Sequence, residues 1–169
     1  MIKRILTSLL VVCTLQACTI SYKFNGATLN YDIYKTIYIS SFPIRAALVY
    51  APLQQMFELE LDNMITRQTR LQVSNNPNSD LTMEGEITRY ELTPQAVGDD
   101  AYATQTRLTI AIRVKYNNNK MPGSDIDQTF SAYRDFSSSE LLTDVQEQLC
   151  DEICEEIADL IFNATIGNW

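Results

Sequence analysis

The chain has 169 residues, with 13 basic and 21 acidic side chains, no histidine, and a formal net charge of −8 at pH 7. That balance excludes a nucleic-acid role, because phosphate binding needs a basic surface. The missing imidazole excludes histidine acid–base chemistry and histidine-ligated metal sites, and the length suits one domain around one core.

The N-terminus opens with Lys3 and Arg4 and continues as an uncharged apolar run from Ile5 to Leu15. A membrane span needs about 20 apolar residues, so the run reads as a signal-peptide core. It ends in Leu15-Gln16-Ala17-Cys18, which resembles the lipobox of bacterial lipoproteins, with Cys18 at the acylated position. The organisation expected is a signal over 1–17, a lipid-anchored leader over 18–34 and a single domain over 35–169. Several acyl chains on one cysteine hold a water-soluble domain on a membrane it does not cross.

In the domain, 35–40 alternates and is β-branched, which predicts a first strand ended by Pro43. Pro52 suits a first helical turn; from it Leu53, Met56, Phe57, Leu61, Met64 and Ile65 form one apolar face, with Glu58, Asp62 and Arg67 elsewhere. Residues 71–73 read as a short extension before the turn-rich 75–79. A second strand is expected over 80–93, with a bulge near Arg89 where the apolar phase shifts to Tyr90 and Leu92. Over 104–116, Leu108, Ile110, Ile112, Val114 and Tyr116 alternate with polar residues, giving a third strand with one packed and one wet face. A turn over 117–124 and a fourth strand over 125–136 follow. Ser137 and Glu140 have capping-box spacing ahead of a second helix that runs to about Asn163. Its apolar positions are Leu142, Val145, Leu149, Ile153, Ile157, Leu160, Ile161 and Ala164. The order β-α-β-β-β-α predicts an α+β fold: a two-layer sandwich with a mixed four-stranded sheet and both helices on one face.

The reactive inventory is thin. No nucleophile elbow, P-loop or dinucleotide fingerprint occurs among the five glycines. Glu84 and Glu86 share a wet strand face and read as a solvated pair. Asp99-Asp100 lacks a third oxygen ligand nearby for calcium. Cys150 and Cys154 are four residues apart on a helix, so their Cβ atoms lie about 5–6 Å apart, beyond the about 3.5–4.5 Å of a disulfide. They read as buried or half-buried thiols, not as a metal pair. Arg107, Arg113 and Lys115 share the wet face of the third strand; they solubilise the sheet or meet anionic sugar or phosphate groups. No cofactor or metal is expected, and the chain reads as a binding or assembly module, not an enzyme.

Taken together the sequence resembles the LptE family, the lipoprotein component of the outer-membrane lipopolysaccharide-assembly complex. The stretches carrying the likeness are Tyr22-Lys23-Phe24-Asn25-Gly26, Ile37-Tyr38-Ile39, 80–87, 107–112 and 130–136 with the long final helix. The resemblance implies a lipid-anchored plug in the lumen of a large β-barrel partner (LptD-like), on the periplasmic side of the outer membrane of a Gram-negative cell. It also implies contact with lipopolysaccharide in transit. Thr19-Ile20-Ser21 depart from the Gly and aromatic that often follow the family's cysteine, and the family's lipopolysaccharide-contacting bases have no securely matching motif here. A periplasmic scaffold, or an anchor for a surface appendage, is the rival from another class. A lipid carrier would need an apolar cavity beyond the one apolar sheet face.

Overall fold

The structure is a computed structural model that describes residues 29–96 and 103–167. The lipobox, Cys18, the 22–26 stretch and Asp99-Asp100 lie outside the described residues. Strand β1 (Thr36–Ile39) leads to helix α1 (Pro52–Gln68) and then strand β2 (Gln72–Ser74). Three strands follow, β3 (Leu81–Ala96), β4 (Ala103–Asn118) and β5 (Ile126–Ser137), and helix α2 (Leu142–Thr165) closes the order.

The sheet runs β2-β1-β3-β4-β5. It has five strands where the sequence predicts four. The added one is the 71–73 extension, which pairs parallel to β1 with Gln72 beside Thr36 and Ser74 beside Tyr38. Three residues are too few to show a period, and only the pairing identifies them as a strand. β1 also runs parallel to β3, while β3, β4 and β5 form an antiparallel meander.

The core lies between the helices and one sheet face. Leu108, Ile110, Ile112, Val114 and Tyr116 point inward, as the alternation of β4 requires. Leu53, Phe57, Leu61 and Ile65 of α1 meet them with Ile153, Ile157 and Ile161 of α2. Each fully buried aliphatic side chain contributes about 1.5–3 kcal/mol relative to exposure. The register of β3 slips between Ile87 and Arg89, the expected bulge, and Tyr90 returns to the buried side. At Gly85 an added Cβ would strike the Phe42 ring and the Arg113 carbonyl. Its missing side chain leaves room for the Phe42 ring, which stands edge-on to Phe57 with ring centroids 5.1 Å apart.

Two helix details differ from expectation. The capping box does not form: Ser137 ends β5, its Oγ partners Ser139, and the Glu140 N–H donates to the Ser137 carbonyl in a turn. Helix α2 starts behind Leu141 without a side-chain cap, because the chain needs those residues to turn from the sheet edge. Leu160, expected on the packed face, is 42% exposed; Ile157, Ala158 and Ile161 already fill that turn's core side.

A polar network closes the far end. The Asp80 carboxylate accepts the Lys35 N–H at 2.8 Å and the Thr36 N–H at 3.1 Å, and pairs with Lys120 at 3.1 Å. It thereby joins β1, β3 and the β4–β5 turn, in which Gly123 takes a left-handed φ of 103°. Among the described residues no helix is long and apolar enough to cross a membrane.

Candidate interaction surface

The sheet face turned away from the helices is polar because the odd positions of β4 and β5 and the pre-bulge even positions of β3 fall on it. Arg107, Arg113 and Lys115 all lie there, as expected. Two of the three are engaged within the molecule. Arg107 donates to both Asp135 oxygens, at 2.7 and 2.8 Å, with its guanidinium 3.7 Å from the Tyr133 ring centroid. Arg113 forks onto Asp127 with both bonds at 2.8 Å. These hydrogen bonds hold Asp127 and Asp135 below the usual carboxylate range and raise the two arginines.

Lys115 makes no ion pair among the described residues, although Glu84 faces it from β3 and Asp127 from β5 in register. Glu86 likewise faces Arg113. Beside Glu84, Glu86, Arg113 and Lys115 opens a cleft of about 320 Å³, lined also by Ser40, Ser41, Pro43 and Gly85. Sequence reasoning missed it, because it forms where residues 40–43 meet β3 from far along the chain. The Asp partners were legible in principle: Asp127 and Asp135 sit on the outward parity of β5.

The helix side differs in charge. Helix α2 carries seven acids and no base. Asp144, Glu147 and Asp151 border a groove of about 470 Å³ with Met56 and Gln148. Arg134 reaches from the helix side of β5 to Glu152 at 2.9 Å and Glu156 at 2.6 Å, pinning α2 to the sheet. Cys150 and Cys154 are buried and unbridged. Burial pushes their thiols up to about 11 and about 12, so both stay protonated near neutrality. Among the described residues no three His, Cys, Asp or Glu side chains converge as a metal site.

The chain is thus a two-layer α+β domain with an acidic outer helix and a polar sheet face tied by cross-strand ion pairs. The sequence model of the LptE family, described as lipopolysaccharide-assembly, matches residues 34–165. The chain belongs to the LptE family. No curated protein matches it in sequence.

Solved structures share the fold. Rare lipoprotein B from Shewanella oneidensis is similar at 12% identity, with 77% of this chain and 92% of that one covered and a TM-score of 0.56. A Xanthomonas campestris protein of family DUF330 is similar at 15% identity, covering 79% and 83%, with a TM-score of 0.57. A minor lipoprotein from Acinetobacter baumannii is similar at 15% identity, covering 76% and 90%, with a TM-score of 0.50.

Proposed function

We propose that this protein is a lipid-anchored, non-catalytic assembly partner of a large outer-membrane β-barrel (LptD-like), sitting in its lumen as a plug and meeting lipopolysaccharide in transit. The family match over most of the chain carries this reading. The lipobox supplies the anchor: Cys18 becomes the acylated N-terminus and holds the domain on the periplasmic side of the outer membrane. The polar sheet face supplies the working surface. Arg107, Arg113 and Lys115 contact acidic groups of the barrel or phosphates of the transported lipid, and Lys115, which has no ion pair among the described residues, is the most available of them.

The test is co-purification after mild detergent extraction, with surface lipopolysaccharide measured in parallel. One large β-barrel protein is expected with the parent. Converting Arg107, Arg113 and Lys115 to Glu is expected to weaken its recovery or lower surface lipopolysaccharide. Deletion of the gene with barrel and surface lipopolysaccharide both unchanged rejects the assembly reading. A normally folded triple variant with parental barrel recovery and export rejects this face as the working surface.

A further inference from the structure

The pairing of β1 with β3 is interrupted at one place. The Ser40 N–H donates to the Met83 carbonyl at 2.9 Å, and pairing resumes where the Ile87 N–H donates to the Pro43 carbonyl at 3.0 Å. A regular parallel ladder would send the Phe42 N–H to the Gly85 carbonyl and the Ile87 N–H to the Phe42 carbonyl. Here the Phe42 N–H turns to the Glu58 carboxylate at 2.7 Å, and Ile87 takes the next carbonyl along. The segment thus carries one extra residue, a bulge. Gly85 is left with its N–H and C=O directed at the gap and no main-chain partner across it among the described residues.

That gap is the cleft lined by Ser40, Ser41, Glu84, Glu86, Arg113 and Lys115. Its charge balance decides what it can take. The Arg113 guanidinium is committed to Asp127, and Lys115 stands in register between Glu84 and Asp127. Two carboxylates and two cations line the cleft; with the Arg113 charge taken up by Asp127 outside it, Glu84 and Glu86 are left against Lys115 alone, and an entering anion would meet more like charge than opposite. Unengaged acceptors are what the cleft offers: the Glu84 and Glu86 carboxylates, about 6–7 Å apart as same-face strand neighbours, and the Gly85 carbonyl between them.

We infer that this cleft is an anchor pocket for an arginine side chain of a protein partner. The planar guanidinium carries five donors and matches carboxylates and carbonyls at such spacing. Its methylene stem has Pro43 to lie against, and arginine inserted in a pocket is a common energetic centre of interfaces. The inference rests on the reading of the polar face as a docking surface for a protein partner and narrows it: at this cleft it selects a basic side chain over the acidic or phosphate groups named above.

The experiment uses the full chain in mild detergent, labelled with ¹⁵N only at glycine, so that Gly85 is one of five resonances. The probe is N-acetyl-arginine methylamide, compared with inorganic phosphate. A saturable shift of the Gly85 resonance is expected with the arginine probe, at a dissociation constant of roughly millimolar order, while Gly123 and Gly167 stay still. Replacing both Glu84→Gln and Glu86→Gln is expected to weaken it roughly tenfold or more, with Gly123 and Gly167 at parental positions as the check of fold. A Gly85 resonance that ignores the arginine probe, answers it equally in the double variant, or responds to phosphate instead overturns the inference. Co-purification of the barrel reads the family function separately, so a protein that keeps the barrel but not the arginine response fails here alone.

Discussion

At Asp80 one carboxylate gathers three segments that are distant in sequence. The Lys35 N–H holds its pKa down to about 2 from 3.8, against burial, with Lys120 and the Thr36 N–H adding to the effect. A carboxylate with a depressed folded pKa stabilises the fold fully above its unfolded value and loses that contribution as the pH falls through the folded one. The window is therefore about pH 4 down to about 2, and the contribution is about 2 kcal/mol. Asp80→Asn is expected to lower stability by that order at neutral pH in urea unfolding, and to flatten the acid dependence. Parallel acid curves for parent and variant would reject an ionic latch. At the two thiols, burial sets the expectation: Cys150 and Cys154 resist iodoacetamide in the native protein at mildly alkaline pH and both label once it is unfolded. Mass spectrometry that finds either alkylated in the native state contradicts their packing.

At the scale of elements, α2 is held by its apolar face and by Arg134. The guanidinium bonds Glu152 and Glu156 and also the Tyr133 carbonyl, and is raised chiefly by Glu156. Arg134→Met keeps the stem and removes these bonds. The loss expected is about 1 kcal/mol, because the pairs are partly solvated, with amide exchange in the middle of α2 accelerated and that in β3 unchanged. Equal acceleration everywhere would mean that the contact does not localise to the helix. This element level is also where sequence was most and least informative. The alternation from Leu108 to Tyr116 and the spacing of Ile153, Ile157 and Ile161 were legible because each repeats over several turns or pleats. The strand Gln72–Ser74 was not, having no repeat to read, and its identity comes from a parallel neighbour supplied by β1. The Ser137–Glu140 spacing misled for a related reason: strand pairing to Gln105 claims Ser137 before the helix can. In the polar face, the shared side of Arg107, Arg113 and Lys115 could be read from parity. Their partners Asp135 and Asp127 depend on β4–β5 register, and the cleft on contacts between residues 40–43 and 84–86, so neither follows from local pattern.

Across the whole molecule the two sides offer different electrostatics, and partner preference should follow. The sheet face balances its charges by cross-strand pairing, whereas the outer side of α2 is acidic along its length. Charge reversal of the polar-face cations Arg107, Arg113 and Lys115 removes two solvated cross-strand pairs and sets like charge beside Asp135 and Asp127. Urea unfolding is expected to show a cooperative transition with only a small shift of its midpoint, and a large shift would place these residues in the framework of the fold. The Asp80 junction has a consequence in time as well as in strength. β3, β4 and β5 follow one another closely in sequence and can pair as soon as they are made, but β1 must wait for a partner 44 residues away, and the Thr36–Asp80 bonds close that distance. Contacts of long sequence separation form late because the chain entropy they consume is recovered only when the rest is in place. Substitutions at Asp80 should then leave the folding rate nearly unchanged and speed unfolding instead, so that the junction of β1 with β3 is the seam at which a newly made chain stays open longest to proteolysis.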